Sequence, residues 1–409
     1  MIESEIVIVG GGIAGCSTAF HLASHGRQVV LLERGAIASA ASGQNMGGID
    51  SYGWGDAPDL QAHLTAGSIE IFETVQTELG EDIEFRRSGG IQAIRTAEEY
   101  EWERERVEVL GKRGQVAELL TTREARSIEP GFSPAMLGAL YSPRRGQADP
   151  VKATHAFARL AERRGARVLT GHDVTAVAPR PRAGYSLTTS GGEVVADALV
   201  IAAGAWSGPL GAMLDLDIPI VPVRGQMWAT APLPPRSFHT ISAAESAMAW
   251  ARDHGGSPPD LTIRDGRRVT RHLYGRQRRN GEIIFGGDRE LMGYDTTPDP
   301  KGIDVNRDHA ISVLPFLADV PIARTWAGLM PFPLDGKPLI GRIASRDNLW
   351  IVTGLASSGF GRGPMAGKLL ADYLHTGRPA PVLAEADPAR CIRERAHTLG
   401  RNEPCSPIE

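Results

Sequence analysis

The sequence predicts an α/β fold that begins with a Rossmann-like unit, in which a strand, a glycine-rich turn, a helix and a second strand bind a dinucleotide. Residues 6–9 form a short apolar run typical of a buried parallel strand, and residues 10–15 read G-G-G-I-A-G, which fits G-x-G-x-x-G. A helical stretch then stops at Gly26, and residues 28–32 read as a second strand with Glu33 at its end. The alternative is an ordinary glycine turn between a strand and a helix, but the order of the parts favours a dinucleotide site.

Each residue of the turn has a physical task. We expect Gly10 to allow the tight turn and Gly12 to let backbone amides approach a pyrophosphate. The helix N-terminus at Ile13 and Ala14 offers free N–H groups and the positive end of the helix dipole. Gly15 lets the helix lie close to the sheet, and the acid that ends the second strand can accept hydrogen bonds from ribose hydroxyls. These residues suit NAD and FAD alike.

The whole chain has the composition of a globular protein with two domains. It has 409 residues, of which 42% are hydrophobic and 22% charged, and a net charge of -4. This balance gives no reason to expect a nucleic acid or an anionic membrane as a partner. Cys16, Cys391 and Cys405 form no C-x-x-C pair, so we expect neither a disulfide framework nor a metal site. With no secretory signal and no apolar run long enough for a membrane span, we predict a cytoplasmic protein.

The rest of the chain mixes helices and strands. Asp149 and Pro150 are typical of a helix start. We expect helices at 58–79, 97–112, 121–127, 151–164, 305–317 and 365–374. We expect strands or extended segments at 85–95, 165–169, 174–179, 185–189, 193–196, 197–203, 219–230, 272–276, 282–287 and 349–353. Residues 354–364 are a glycine loop that opens the last helix and offers a second site for anionic groups, and residues 232–271 are either a loop or an inserted flap.

Four blocks of the chain form a specific combination. They are the N-terminal fingerprint with Glu33 and Arg34, the serine-rich loop 39–48, residues 200–207, and residues 326–341 with the glycine loop 354–367. Together they resemble the D-amino-acid-oxidase-like flavoenzymes, which include glycine oxidase, sarcosine oxidase and related amine dehydrogenase subunits. The resemblance implies FAD, held by a Rossmann-like domain that is interrupted by a mixed-sheet substrate domain. The FAD-binding domain would comprise 1–84, 147–218 and 326–376, the substrate domain 85–146 and 219–325, and the C-terminal tail 377–409.

The resemblance also implies which residues contact FAD. Besides the fingerprint and Glu33, they are Arg34, Ser42, Gly43, Gln44, Asn45, Met46, Val174, Ala203, Gly204, Trp206, Gly328, Gly354, Ser358, Gly359 and Phe360. Some members attach the flavin through a histidine where this chain has Gln44, and others through a cysteine where it has Gly328. We therefore expect non-covalent FAD.

Members of this family remove a hydride from a carbon that bears an amine, a reaction that depends on substrate placement more than on catalytic side chains. By this resemblance Tyr274 binds the substrate carboxylate, with His272 beside it; the alternative is that both residues pack in the interior. Met330 stands where glycine oxidase has a carboxylate-binding arginine. Either the substrate lacks an α-carboxylate, or another cation binds it, with Arg289 the first candidate and Arg276 the second. The alternative is that both arginines lie on the surface.

Further residues concern the substrate and the oxidant. Tyr52 and Trp54 either form an aromatic wall for the amine or pack in the core. Sarcosine oxidase activates oxygen with a lysine where this chain has Phe285, and no lysine occurs between Lys152 and Lys301. This absence favours a dehydrogenase, although glycine oxidase lacks that lysine too.

The sequence thus predicts an FAD-dependent amine or amino-acid oxidase or dehydrogenase. It would oxidise the C–N bond of a small or medium amine or amino acid, with or without an N-substituent, by hydride transfer to flavin N5, giving an imine. The expected partners are the amine substrate and molecular oxygen or another electron acceptor, in a homo- or hetero-oligomer. Two other functions stay open: a 2-hydroxy-acid or polyol dehydrogenase on the same scaffold, and a flavin-binding subunit of a hetero-oligomeric dehydrogenase.

Overall fold

The structure is a computed structural model that describes residues 1–50, 59–252, 262–264, 267–269 and 272–395. Its α-helices are α1 (Ile13–Ser24), α2 (Asp59–Thr77), α3 (Ala97–Lys112), α4 (Thr122–Ile128), α5 (Pro150–Arg163), α6 (Ser207–Ala212), α7 (Ala244–Arg252), α8 (Pro300–Val313) and α9 (Gly359–Thr376). Its strands are β1 (Ile2–Val9), β2 (Val29–Glu33), β3 (Gly48–Ile49), β4 (Gly90–Ile94), β5 (Glu118–Thr121), β6 (Gly138–Ser142), β7 (Gly146–Gln147), β8 (Arg167–Thr170), β9 (Val174–Pro179), β10 (Tyr185–Thr189), β11 (Gly192–Ile201), β12 (Leu216–Asp217), β13 (Ile220–Thr230), β14 (Thr240–Ala243), β15 (Thr262–Arg264), β16 (Arg267–Val269), β17 (Tyr274–Gln277), β18 (Ile283–Gly286), β19 (Ile322–Pro333), β20 (Leu339–Arg342), β21 (Leu349–Thr353) and β22 (Arg393–Glu394).

The first large sheet has eight strands and contains the N-terminal βαβ unit. Its order is β20-β21-β11-β1-β2-β8, with β10 attached to β11 and β9 to β10. β1 runs parallel to both of its neighbours, so Val7 lies opposite Leu199 on one side and Val30 on the other. Helices α5 and α9 both pack against α1. The end of β1 is buried on both faces, which explains its unbroken apolar run.

The second large sheet also has eight strands, in the order β19-β13-β18-β17-β14-β4-β6-β5. Its neighbours are antiparallel except β14 and β4, which run parallel. β13 and β19 pair along their lengths, from Ile220 opposite Pro333 to Thr230 opposite Ile322. Trp228 and Phe285 belong to a separate core that this sheet shares with α8. The two large sheets therefore have separate cores, and a cavity lies between them.

The expected fold class, an α/β fold with a mixed second sheet, is confirmed, and several elements lie where the sequence predicts them. Helix α3 covers the predicted residues, and β10 and β11 form the predicted hairpin. Helix α8 begins at Pro300, before the predicted 305, because Asp299 caps it and Pro300 suits its first turn. Strand β17 begins at Tyr274 and not at 272.

One expectation about a loop is wrong, and for a second loop one of the two alternatives is wrong. Helix α9 begins at Gly359 and not at 365, so part of the glycine loop is helical. Close contact with α1 outweighs the poor helix propensity of these glycines, since a Cβ on Gly363 would lie 2.6 Å from Ile13 Cγ2. The stretch 232–271 is not simply a loop, because it contains β14 and α7. Its residues 253–261, 265–266 and 270–271 lie outside the described residues, so the idea of a flap stays a prediction.

Candidate functional site

A cavity of about 620 Å³ lies between the two large sheets. Residues from the first βαβ unit line one end, and side chains of the second sheet line the other. The start of α9 and the loop that follows β2 line the stretch between these two ends. An elongated dinucleotide and a small substrate can therefore share one continuous space.

The glycine turn is shaped by close backbone contacts. Gly10 has φ +123°, and a Cβ there would lie 2.3 Å from Ala202 O. Gly15 does not line the cavity; a Cβ at this position would lie 2.0 Å from Gly10 O. Its task is to let α1 approach β1, while Gly10, Gly12, Ile13 and Ala14 face the cavity.

The helix start and the acid after β2 have the geometry that a diphosphate and a ribose require. The amide of Ile13 donates to Ser42 Oγ at 2.9 Å, and a Cβ on Gly12 would lie 3.0 Å from that oxygen. A side chain at position 12 would therefore crowd the serine that binds this amide. Glu33 accepts hydrogen bonds from the amides of Gly11 at 2.7 Å and Gly35 at 2.8 Å, which fix its carboxylate at the edge of the cavity.

The far end of the nucleotide region is flat and aromatic. The guanidinium of Arg34 lies 3.9 Å from the ring centroid of Trp206, and Tyr294 packs against the same indole at 5.8 Å. Tyr294 also donates a hydrogen bond to Ala205 O at 3.3 Å. The other predicted contacts that line this part of the cavity are Val174, Ala203 and Gly204. Arg34 and Trp206 therefore supply flat surfaces beside this part of the cavity, against which a purine ring can pack.

The middle of the cavity contains the two positions where relatives carry a covalent link. Gln44 and Gly328 lie side by side, because a Cβ on Gly328 would be 2.7 Å from Gln44 Oε1. Gly43 does not face the cavity; a Cβ there would lie 2.2 Å from Ala38 O, so this glycine shapes the loop. The remaining predicted contacts Asn45, Met46, Gly354, Ser358, Gly359 and Phe360 all line the cavity.

The predicted substrate residues converge at the end beside the second sheet. Tyr274, His272, Arg289 and Met330 all line the cavity. Arg289 is only 5% exposed, so the alternative of a surface arginine is wrong. Burial lowers the pKa of Arg289 to about 10, which leaves it charged at neutral pH. Burial raises the pKa of Tyr274 and lowers that of His272, so both side chains are neutral there.

Arg276 is buried too, but it has a structural task. It donates to Met46 O, to Gln147 Oε1 at 2.8 Å and to Ala148 O at 2.8 Å. It does not line the cavity, and it fixes the loops that do. Tyr52 and Trp54 lie outside the described residues, so the predicted aromatic wall stays a prediction.

A second group of polar residues lies at the substrate end and was not predicted from the sequence. Arg362 lies in the first turns of α9 and donates from Nε to Thr65 Oγ1 at 3.2 Å. Burial lowers its pKa to about 10, and the nearby Asp50 opposes this shift. Arg145 donates to Asp50 and, at 3.3 Å, to Ser242 Oγ. A lone arginine within the glycine-rich block 354–367 was the available signal for Arg362.

Two features do not occur among the described residues. Among these residues, no group of three or more His, Cys, Asp or Glu side chains is arranged to hold a metal ion. Within the same ranges, no helix is long and apolar enough to cross a membrane.

The glycine turn, the fixed acid and the adjoining cavity fit a dinucleotide such as flavin adenine dinucleotide, and this combination is typical of dinucleotide-dependent oxidoreductases. Residues 5–373 match the family described as FAD dependent oxidoreductase (DAO). The chain belongs to this family and is an FAD-dependent oxidoreductase.

Curated relatives include glycine oxidase and dimethylglycine dehydrogenase. The chain is 31% identical to glycine oxidase of Pseudomonas aeruginosa over 389 residues, which cover 92% of this chain and 96% of the relative. It is 29% identical to mitochondrial dimethylglycine dehydrogenase of Mus musculus over 411 residues, which cover 95% of this chain. The match spans 44% of the length of that dehydrogenase, less than half of it.

Solved structures show the same fold. Glycine oxidase from Geobacillus kaustophilus superposes with a TM-score of 0.82 at 24% identity, covering 96% of this chain and 100% of that one. L-proline dehydrogenase from P. horikoshii superposes with a TM-score of 0.81 at 27% identity, covering 95% and 98%. The resemblance that the sequence analysis identified is therefore confirmed at the level of family and fold.

Proposed function

We propose that the chain oxidises the C–N bond of a small or medium amino acid, with or without an N-substituent. The substrate carbon loses a hydride and its nitrogen loses a proton, which gives an imine that water then hydrolyses. FAD, when bound, supplies the hydride acceptor. The observation that carries this proposal is the buried, charged Arg289, which lines the cavity with the Tyr274 hydroxyl close by.

Arg289 can take the task of the arginine that glycine oxidase has at Met330. Met330 forms part of an apolar wall with Met46 and Met227, which also line the cavity. A carboxylate in an enclosed chamber needs a cation or several donors, because burying it alone is costly. Arg289 with Tyr274 provides both, so the α-carboxylate would bind there and its Cα would lie against the methionine wall.

The charges of the chamber favour the reactive form of an amine. Loss of a hydride from Cα requires a lone pair on nitrogen, so the amine must be neutral. Arg289 and Arg362 both line the cavity, and before a carboxylate balances their charge they lower the pKa of an approaching amine, which favours entry of its neutral form. Neutral His272 is close enough to Arg289 for the arginine charge to lower the histidine pKa further. This histidine can accept a hydrogen bond from a substrate N–H without adding a charge.

The domain boundaries belong to the same proposal. We infer an FAD-binding domain of residues 1–84, 147–218 and 326–376 because the strands of the first sheet all come from these segments. The substrate domain of residues 85–146 and 219–325 then supplies most of the second sheet. Strand β19 starts in one proposed domain and ends in the other, so this strand connects them.

Anaerobic mixing of the yellow holoenzyme with panels of amines and 2-hydroxy acids tests the proposal. We expect amino acids or N-substituted amino acids to bleach the visible flavin band, and 2-hydroxy acids to leave it unchanged. Bleaching by hydroxy acids alone would replace the proposal with the dehydrogenase alternative. Reduction by neither class, together with purification in complex with a second chain, would favour a flavin-binding subunit.

A further inference from the structure

The substrate chamber carries more positive charge than a single carboxylate requires. We use this name for the part of the cavity lined by Asp50, Thr65, Arg145, Ser242, Tyr274, Arg289 and Arg362. Among these described residues, three are arginines and one is an acid. The electrostatic balance of the chamber therefore depends on which arginines that acid already neutralises.

Asp50 is bound by Arg145. Arg145 Nε donates to Asp50 Oδ1, while its Nη1 donates to Ser242 Oγ at 3.3 Å. This ion pair forms one wall of the chamber and has little charge left for a ligand. Arg289 and Arg362 are the other two arginines among the residues that define the chamber, and Asp50 lies near Arg362 as well.

Arg362 is placed to bind an anion. The residue is 9% exposed, and the structure gives it one hydrogen bond, from Nε to Thr65 Oγ1 at 3.2 Å. Its two terminal nitrogens make no hydrogen bond to any residue in the described ranges, although a buried guanidinium is costly without an acceptor. Because the side chain lines the cavity, those nitrogens are available to a bound carboxylate, which a guanidinium fork binds through two parallel hydrogen bonds.

Arg289 and Arg362 reach the chamber from different parts of the fold. Arg289 follows β18 of the second sheet, whereas Arg362 lies at the start of α9 beside α2. Ser242, which accepts a hydrogen bond from Arg145, is paired with Tyr274 across β14 and β17. One carboxylate bound at Arg289 and Tyr274 therefore leaves Arg362 for a second group.

We propose that the substrate is an amino acid with a second carboxylate, which Arg362 and Thr65 bind while Arg289 and Tyr274 bind the first. This inference rests on the proposed function, because it extends the same chamber to a dicarboxylic amine. The nitrogen and the reacting carbon would lie between the two carboxylates. The reaction itself is unchanged: the carbon gives up a hydride, the nitrogen a proton, and the imine forms.

Two ethers allow substrate binding to be measured without turnover, because they have no amine that the enzyme could oxidise. Oxydiacetate has two carboxylates on either side of an ether oxygen, and methoxyacetate has the same ether with one. Dissociation constants come from the change in the visible flavin spectrum of the holoenzyme at constant ionic strength. We expect oxydiacetate to bind at least about tenfold more tightly than methoxyacetate. Equal binding of the two ethers, or no spectral response to either one, would overturn the inference.

Three variants locate the second carboxylate. We expect Arg362→Gln to abolish the preference for oxydiacetate and to leave methoxyacetate binding within about twofold of wild type. Thr65→Val keeps the arginine but removes its hydroxyl partner, so the preference for oxydiacetate should fall by a smaller factor. This variant also tests the inference if Arg362→Gln does not fold. Arg104→Gln, at an exposed position on α3, is the matched control and should keep the preference. If Arg362→Gln weakens both ethers equally, Arg362 binds the first carboxylate and the inference fails.

The two proposals fail in different ways. If oxydiacetate binds with the expected preference but no amine bleaches the flavin, the proposed reaction is wrong while the two-carboxylate chamber stands. If amines bleach the flavin and the two ethers bind equally, the reaction stands and the second carboxylate is wrong.

Discussion

Single buried charges decide how a substrate lies in this cavity. Arg289 is buried beside Asp288, and that acid accepts hydrogen bonds from the Gln226 amide at 2.8 Å and from the Gln226 side chain. Burial raises the pKa of Asp288 to about 6, so this carboxyl is still mostly ionised at neutral pH. Arg289 lines the cavity, where a ligand can reach its guanidinium.

Replacing Arg289 tests this directly. We expect Arg289→Met to weaken the binding free energy of the amino-acid substrate by about 2–5 kcal/mol, because the bound carboxylate loses its charge partner. Titration of the flavin spectrum measures the constant, and the exposed Arg104→Met provides a matched control. An unchanged constant in Arg289→Met would remove this residue from the site.

His21 gives a residue-scale prediction about pH and stability. Its Nε2 is buried without a hydrogen-bond partner in the described ranges, and burial, assisted by Lys368, lowers its pKa from 6.5 to about 4. A histidine with a lowered folded-state pKa contributes stability above pH 6.5, which is lost as the pH falls from 6.5 towards 4. The unfolding free energy of wild type should fall as the pH is lowered from 7 to 4.5. In His21→Gln, which lacks this titrating ring, we expect the fall to be smaller by about 2 kcal/mol.

Denaturant unfolding at a series of pH values measures this difference. The control is His63→Gln on α2, which removes an exposed imidazole and leaves the buried one in place. Parallel pH curves for wild type and His21→Gln would show that this ring does not titrate in the way its burial implies.

At the scale of elements, the packing of α1 on β1 decides whether the nucleotide site forms. Gly15 is the contact point, because a Cβ there would lie 2.0 Å from Gly10 O and 3.2 Å from Ala202 Cβ. Helix α9 makes a similar approach from the other side, where a Cβ on Gly367 would lie 2.7 Å from the Thr18 amide. Small residues at both interfaces therefore fix the position of the α1 N-terminus.

We expect Gly15→Ala to lower the unfolding free energy by about 1–3 kcal/mol and to reduce the flavin content of the purified protein. The ratio of visible to ultraviolet absorbance and a thermal melt measure the two effects. Gly111→Ala on α3 is the matched control, since a Cβ there meets nothing within 4 Å and a helical Gly-to-Ala change is favourable. Full flavin content in Gly15→Ala would contradict the close-packing explanation.

Local sequence patterns predicted the bounds of elements that begin at a capping residue. They failed for elements whose bounds depend on contacts with residues far away in the sequence. Helix α3 has a capping threonine, Thr96, and the predicted bounds are confirmed. Helix α9 was placed too late because its glycines are stabilised by contact with α1, which no local pattern contains. The position of Arg289 in the cavity was suggested through family resemblance, whereas Arg362 was missed because its burial depends on Thr65, far away in the sequence.

At the scale of the whole molecule, the cavity joins a nucleotide region to a substrate chamber, and the attachment of the flavin can be tested as one property. Gln44 and Gly328, which take the two positions of covalent attachment in relatives, provide no nucleophile. We expect acid precipitation to leave FAD in the supernatant and a colourless pellet. A yellow pellet would show a covalent bond formed by another residue.

The family and the two-sheet architecture were predictable because the motifs that define them are short and continuous in sequence. The enclosed chamber was not, since its walls come from α2, the loop before β7, the segment after β18 and the start of α9. The side chains that meet there, Thr65, Arg145, Arg289 and Arg362, are far apart along the chain and are brought together only by the packed sheets.

The order of strands in the first sheet has a consequence for biosynthesis. β1, at the start of the chain, lies next to β11, and β11 pairs in turn with β21, which comes only at Leu349–Thr353. The coenzyme cleft is likewise walled by residues near position 10 and by residues near position 360. A ribosome-bound nascent chain therefore cannot complete this cleft until the segment through Arg362 has emerged. Capture of the coenzyme in the completed cleft consequently reports that synthesis and folding have both reached α9.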